Sequence, residues 1–184
     1  MQQIFSSPFP TFELSSNFML DCIKPDVDSG YYFLYMNAPE VKIFISDSNI
    51  PSSISSAKED LQYWASLFNT QRSIYWAIRE QNSDKLIGTI GFNNISFINM
   101  RGEISYDLAY DYWGRGIMTK AINAITAFAQ DKMGLVRVQA YTARNNKKSI
   151  KLLERCKFKA EGILRKYERV QNQSLDYVMY AVVK

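Results

Sequence analysis

At 184 residues, with 47% hydrophobic and 14% aromatic side chains, the chain can bury a sizeable core and is too apolar to stay disordered, and its length predicts one domain, 1–184. It contains no histidine, which excludes Ser-His-Asp and Cys-His nucleophile systems and His-ligated zinc, and leaves acid–base work to Asp, Glu, Tyr, Ser, Lys, Cys, the backbone or water. The net charge of +4 is unevenly spread: residues 144–169 hold ten Lys/Arg against three Glu, and residues 1–70 hold eight Asp/Glu against three Lys. The last third therefore suits an anionic partner and the first a cationic one, although a solvated basic helix face would give the same counts. No apolar run approaches the roughly 20 residues of a membrane span, and no basic stretch precedes an apolar one at the N-terminus. Cys22 and Cys156 lie far apart and outside any metal-like spacing. A cytoplasmic protein with reduced thiols, no metal and no membrane contact is expected.

In chain order, a first strand is expected over Phe12–Ile23, interrupted around Ser15–Asn17. Pro25-Asp26-Val27-Asp28 starts a short helix that runs to Met36. The serine-rich piece Ser46–Ser56, with Pro51, is a surface loop. Ser55-Ser56 cap a second helix, whose apolar stripe is Leu61, Trp64, Ala65 and Phe68. Ile74–Arg79 and Leu86–Phe92 form a strand pair about the polar turn Gln81–Asp84. Glu103–Tyr110 is the next strand. Ile117, Ala121, Ala124, Ile125 and Phe128 recur at helical spacing, and Gly134 closes that helix. Leu135–Tyr141 alternates through Val136, Val138 and Ala140 as a strand. Asn146 to Cys156 is a basic amphipathic helix with Ile150 and Leu153 inward. Ala160–Val170 and Leu175–Val183 close the chain as strands around Asn172-Gln173. With no internal repeat or linker, this order predicts an α/β (mixed α+β) fold, a mixed sheet covered by helices on both faces.

The most informative stretch is 103–118, a strand, a Gly-x-Gly turn and the first turn of a helix. Gly114 and Gly116 lack Cβ atoms, so the backbone there can approach a ligand closely. The helix that follows presents free N–H groups and the positive end of its dipole, an arrangement that binds phosphate without a basic side chain. No Gly-Lys-Ser/Thr follows, which excludes a P-loop, and Thr119 stands where a dinucleotide fingerprint has its third glycine.

A second segment pairs with the first: Asn146-Lys-Lys-Ser149, then Leu153-Glu154, Phe158, Glu161-Gly162 and Leu164-Arg165. Together with Tyr112-Trp-Gly-Arg-Gly-Ile-Met-Thr-Lys-Ala121, it resembles the GNAT superfamily of acetyl-CoA-dependent N-acetyltransferases, and most of all the Rim-type branch that acetylates ribosomal-protein N-termini. The resemblance runs from the Phe12 strand to Val183. It implies the GNAT fold, a central, mixed, mostly antiparallel twisted sheet of about seven strands flanked by about four helices. It departs from the family pattern at Trp113, at Met118, which is bulkier than the usual small residue, and at Lys157, which replaces a glycine. If position 157 needs a left-handed backbone, lysine there costs about 1 kcal/mol.

The resemblance further implies acetyl-CoA in a cleft between the Glu103–Tyr110 and Leu135–Tyr141 strands. Its pyrophosphate would rest on the amides of Trp113, Gly114, Arg115, Gly116, Ile117 and Met118, and Asn146 would contact the pantetheine arm or the substrate backbone. Arg115, Arg144, Lys147 and Lys148 would stand near the phosphates. Transfer to an amine requires an ammonium to lose a proton, an oxyanion to be held and a thiolate to be protonated. By the same resemblance, the oxyanion donor would be a backbone N–H near Leu108, Ala109 or Tyr110. The base would be Glu103, acting through water, or Glu168, with Asp176 a weaker third. The acid toward the thiolate would be Ser149, for which Tyr106, Tyr110 or Tyr141 could substitute. Structural alternatives stand beside these roles: Glu103 as an exposed strand charge, Glu168 as a partner for Arg165 or Arg169, Ser149 as a first-turn serine with Asn146 as N-cap, and Cys156 as packing. The expected acceptor is a primary amine, either a protein N-terminal α-amine or a small amine such as a polyamine, amino acid or aminoglycoside. A CoA-binding module without turnover is the contrasting class. An RNA-binding role for 144–169 lacks interleaved aromatics, so no direct nucleic-acid contact is expected. The protein is expected to be a monomer or homodimer.

Overall fold

The structure is a computed structural model that describes residues 4–6 and 8–184. Its strands are β1 (Phe12–Ser15), β2 (Phe18–Asp21), β3 (Tyr75–Glu80), β4 (Leu86–Ser96), β5 (Arg101–Leu108), β6 (Arg137–Ala143), β7 (Lys159–Val170) and β8 (Gln173–Val183). Its α-helices are α1 (Pro25–Met36), α2 (Pro39–Lys42), α3 (Ile54–Asn69), α4 (Ile117–Asp131) and α5 (Lys147–Arg155). The strands form one sheet in the order β1-β2-β3-β4-β5-β6-β8-β7. Every pair is antiparallel except β5 with β6. Among the described residues no helix is long and apolar enough to cross a membrane.

Two counts differ from expectation. The interruption at Ser15–Asn17 is a full reversal, with β1 and β2 paired Phe12↔Leu20 and Ser15↔Phe18, so the sheet has eight strands. A chain turn and a bulge break side-chain alternation alike, and only the pairing tells them apart. The fifth helix, α2, is a single turn started by Pro39. The cap of α3 is Ser53 rather than Ser55 or Ser56. Its Oγ accepts from the Ser56 N–H at 3.0 Å, and Ser56 Oγ accepts from the Ser53 N–H at 3.0 Å. Of these serines, Ser53 has the extended backbone of a cap (φ −154°, ψ 168°). The strand expected at Glu103–Tyr110 ends at Leu108, where the chain turns into a 3-10 helix, Tyr110–Tyr112. Lys157 has φ +67°, the conformation in which a side chain costs about 1 kcal/mol relative to glycine.

Strand alternation sends side chains into two cores. Trp76, Ile78, Ile90 and Phe92 pack with Ile117, Ala121 and Ile125 of α4 and Leu153 of α5. Tyr75 and Ala77 pack on the other face with Tyr32 and Tyr35 of α1 and Leu61 of α3. The feature that matters for function is the junction of β5 and β6. Their pairing runs from Arg101↔Arg137 to Glu103↔Gln139 and stops there. Yet β5 stays paired with β4 to Leu108, and β6 with β8 to Ala143. The sheet therefore opens like a V between two well-bonded halves.

One buried ion pair fixes α1 to the first half. Arg79 of β3 and Asp28 of α1 are 1% and 0% exposed. The guanidinium donates to both carboxylate oxygens at 2.7 Å, and further to the carbonyls of Cys22 and Asp84. Asp28 also accepts from the Lys24 N–H at 2.7 Å, at the start of α1. Removing one partner would strand a buried charge. Asp28→Ala is expected to destabilise the protein by about 3–5 kcal/mol, read as a lower denaturant midpoint with an unchanged slope.

Candidate active site

The chain leaves β5 through a short, well-tied turn. The Trp113 indole Nε1 donates to the Leu108 carbonyl at 2.8 Å, and its ring stands 5.1 Å from that of Tyr110. Gly114 and Gly116 follow with φ +76° and +75°, and a Cβ at either would meet nothing within 4 Å. Open space in front of a left-handed glycine backbone is what a ligand approaching main-chain amides requires. Gly116 is the N-cap of α4, and no side chain caps that end. Of the other helices, α3 has a reciprocal serine cap and α5 is capped by Asn146, whose Oδ1 accepts from the Ser149 N–H at 3.1 Å, whereas α1 and α2 start at proline without a side-chain cap. The first-turn amides of α4 thus have no side-chain acceptor and face an anion-sized gap, so these residues fit a diphosphate.

A cavity of about 850 Å³ fills the opening between β5 and β6 and runs along this turn. Most of the sequence-predicted residues line it: Leu108, Tyr110, Trp113, Gly114, Gly116, Ile117, Met118, Asn146, Lys148, Ser149 and Glu168. Met118 does not plug it, because its side chain is 6% exposed and belongs to the core beneath α4. Of the cations expected near the phosphates, Lys148 lines the cleft, with Nζ 4.4 Å from the Trp113 ring centroid and 5.7 Å from that of Tyr110. The others on the cleft are Lys151 and Arg155, which share a helix face with Lys148 at spacings of three and four. Arg115, Arg144 and Lys147 are not among the lining residues. The Arg115 guanidinium instead lies 5.1 Å from the Tyr112 ring. Ala109 is also off the cleft wall, and its N–H donates to the Ile87 carbonyl at 2.8 Å.

The opening joins the two faces of the sheet. On the α5 side, Tyr106 Oη and Ser149 Oγ are hydrogen-bonded at 2.8 Å, and burial pushes the Tyr106 hydroxyl up, above the ordinary tyrosine range. On the α1 side, Ser105 and Asp107 alternate with Tyr106, and Tyr141, Glu168 and Tyr177 complete the wall. Burial, and then the charge of the Glu168 carboxylate, push the Tyr177 hydroxyl up. Glu103 lies just outside the cleft, at the last β5–β6 pair. Its Oε2 accepts from Tyr141 Oη at 2.6 Å and from Gln139 Nε2 at 3.3 Å, so it reaches the cleft through Tyr141, whose hydroxyl is pushed up by burial and then by Glu103. Asp176 has a backbone role: its Oδ1 accepts from the Lys166 N–H at 2.9 Å, where Lys166 takes φ +49°. Cys156 is buried, and that burial pushes its thiol up, away from the reactive thiolate.

Sequence reasoning missed Asp107 as a site residue. Its signal was present in Glu103-Ile-Ser105-Tyr-Asp107, which puts both acids on one face of the same strand. Asp107 Oδ1 accepts from Tyr35 Oη at 2.6 Å and from the Thr89 N–H at 2.9 Å, and Oδ2 accepts from Thr89 Oγ1 at 2.7 Å.

Residues 19–159 match the Acetyltransferase (GNAT) domain family. The chain is 31% identical over 157 residues to the uncharacterized N-acetyltransferase p20 of Bacillus licheniformis, covering 85% of this chain and 88% of that one. It is 27% identical over 121 residues to the [ribosomal protein uS5]-alanine N-acetyltransferase of Escherichia coli K12, covering 62% and 60%. In fold it is similar to the microcin C7 self-immunity acetyltransferase MccE, solved with acetyl-CoA and AMP, with a TM-score of 0.82, 23% identity and coverage of 97% and 98%. A sheet that opens beside an uncapped helix N-terminus, together with these matches, places the chain in the GNAT acetyltransferase family. It is an N-acetyltransferase that uses acetyl-CoA.

The open space at Gly114 sets a test. Gly114→Val puts a branched side chain in front of the amides and is expected to weaken acetyl-CoA binding by about tenfold or more, equivalent to about 1.4 kcal/mol. Calorimetric titration measures this, with an unchanged far-ultraviolet spectrum showing that the fold is kept.

Proposed function

We propose that this enzyme transfers the acetyl group to a protein N-terminal α-amine, of the kind found on ribosomal proteins, by direct attack within a ternary complex. The observation that carries the reading is the through-sheet opening, which has uncapped amides and cations on its α5 side and carboxylates on the other. Two partners of opposite charge can thus meet in the gap from opposite faces. The Escherichia coli relative, which acts on alanine of ribosomal protein uS5, supports the choice of acceptor.

When bound, acetyl-CoA supplies a thioester carbonyl that an amine can attack. The chain's residues do the rest. Amides from Trp113 to Met118 hold the diphosphate, Lys148, Lys151 and Arg155 offset its charge, and Asn146 orients the arm through Nδ2, since its Oδ1 is used by the Ser149 N–H. The N–H of Leu108 or Tyr110 faces the charge that develops on the acetyl oxygen, because that of Ala109 is bonded to Ile87. Ser149, with Tyr106 behind it, donates the proton the departing sulfur takes up. Glu168 takes the proton from the acceptor ammonium, and Glu103 acts at one remove through Tyr141.

A small-amine acceptor is the second reading, and one feature favours it. The loop before α3 is strapped across to the β7–β8 turn: Asp47 accepts from the Gln171 and Asn172 N–H groups at 2.7 and 2.9 Å, and Ser46 Oγ donates to the Arg169 carbonyl at 3.3 Å. Ser46 also lines the cleft, so the strap narrows the acceptor side.

Thiol release from acetyl-CoA against alanine- and serine-starting peptides, spermidine and an aminoglycoside tests the transfer. At least one of these amines should turn over. Absence of release with every acceptor, alongside tight CoA binding, would leave a binding module only. The rate should rise with pH, and the midpoint should follow the acceptor. The chain has no histidine, and burial pushes the hydroxyls of Tyr106, Tyr141 and Tyr177 up, further from neutrality. A peptide α-amine should therefore give a midpoint near about 8 and spermidine one near about 10. Ser149→Ala should lower kcat by about a hundredfold while leaving the acetyl-CoA KM nearly unchanged, as measured by steady-state kinetics.

A further inference from the structure

Asp107, half-buried in the cleft wall, differs from the buried Asp28. Asp28 is neutralised by the Arg79 guanidinium through two short bonds. Asp107 is held by Tyr35 Oη, Thr89 Oγ1 and the Thr89 N–H, all of them neutral donors. Among the described residues no Lys or Arg nitrogen lies within ion-pairing distance of it. A carboxylate accepts about four hydrogen bonds, and three of these are filled from the protein side, so one position on Oδ2 remains. The carboxylate is enclosed by α1 and β4 on its protein side and lines the cleft on the other. It also belongs to the face of β5 opposite to Tyr106 and Ser149, which is the face an amine would approach.

We propose that Asp107 receives the ammonium group of the acceptor, the cation completing the fourth hydrogen bond and supplying the missing counter-charge. This rests on the reading of the same cleft as an acetyl-transfer site. The three neutral donors fix the carboxylate in place before the acceptor arrives, so little ordering is needed on binding. Burial pushes the Asp107 carboxyl up, against the pull of the Tyr35 and Thr89 hydrogen bonds. The same burial strengthens attraction to an arriving ammonium. Asp107 therefore selects a cationic amine and positions it, while proton removal belongs to Glu168.

Asp107→Asn removes the charge at nearly constant volume. The acceptor for the test is whichever of the alanine-starting peptide, the serine-starting peptide and spermidine the wild-type enzyme turns over fastest. The expected result is an acceptor KM raised by about tenfold or more, with kcat and the acetyl-CoA KM within about threefold of wild type. An unchanged acceptor KM overturns the proposal. So does a joint change of kcat, both KM values and melting temperature, which would mark Asp107 as a brace for Tyr35 and β4 only. Thr89→Val keeps the charge while deleting one neutral donor, and serves if Asp107→Asn does not fold. Its acceptor KM should rise by about threefold to tenfold, because a donor that fixes the carboxylate is gone, with kcat and the acetyl-CoA KM near wild type, and an unchanged acceptor KM would overturn the proposal. Failure of the wild-type protein to turn over any acceptor would bring down the transfer reading, and this one with it. Wild-type turnover with an unchanged Asp107→Asn KM overturns this one alone.

Discussion

The parting of β5 from β6 is the constraint on which the rest of the structure depends. A parallel pair that ends after Glu103↔Gln139 leaves main-chain groups of both strands facing each other across a gap. Unpaired peptide groups inside a protein carry a large penalty unless something else bonds them. Some of that demand is met locally, since the Leu108 carbonyl takes the Trp113 indole N–H. What is left over is directional hydrogen-bonding capacity in the middle of a sheet, which an extended ligand can use. The gap stays open because both edges are held from behind. β5 is bonded to β4 along its length, and β6 is bonded to β8 from Arg137↔Val183 to Ala143↔Tyr177.

That geometry also divides charge across the gap, and the charged residues on it come from positions 107–168 rather than from the acidic first third. Here Lys148, Lys151 and Arg155 of α5 come to one side of the gap, and Asp107 and Glu168 to the other. The sheet thus separates a basic wall from an acidic one, each suited to a partner of the opposite charge. Trp113 links the two systems. It ties the end of β5 to the glycine turn and carries the Lys148 ammonium on its ring face.

What was legible in the sequence was local. The Gly-x-Gly turn and the Asn146 cap each depend on a few consecutive residues, and the structure has both, while the left-handed backbone at Lys157, raised as a condition by the family resemblance, is met. The helical stripes of α3 and α4 were visible for the same reason. Strand pairing was not legible. Whether Ser15–Asn17 is a bulge or a reversal depends on Phe12 finding Leu20, which local alternation does not encode. The choice among basic residues failed similarly. Arg144 and Lys147 precede Lys148 closely in sequence, but the direction of α5 decides which cations reach the cleft, and that direction is set by packing of Leu153 into the core. Asp107 was visible as an acid on the Glu103 face of its strand, but its surroundings were not, because they come from Tyr35 and Thr89, which are 72 and 18 residues away.

The absence of histidine has a structural counterpart. Three groups in or beside the cleft are each hydrogen-bonded to a tyrosine hydroxyl, Ser149 to Tyr106, Glu103 to Tyr141 and Asp107 to Tyr35, and Glu168 stands beside a fourth, Tyr177. Burial pushes all four hydroxyls up, so each stays protonated at neutral pH, and those of Tyr35 and Tyr141 act as fixed donors to Asp107 and Glu103. An imidazole in the same place would change charge within the physiological range and carry that change into the field of the site. A tyrosine does not. It orients a carboxylate or hydroxyl while contributing no charge of its own, and its ring fills space that would otherwise admit water. On the proposed transfer reading, the proton that leaves the acceptor would move to a carboxylate without competition from these tyrosines, and the pH response of the reaction would come from the amine, because the scaffolding of tyrosines is held outside the titrating range.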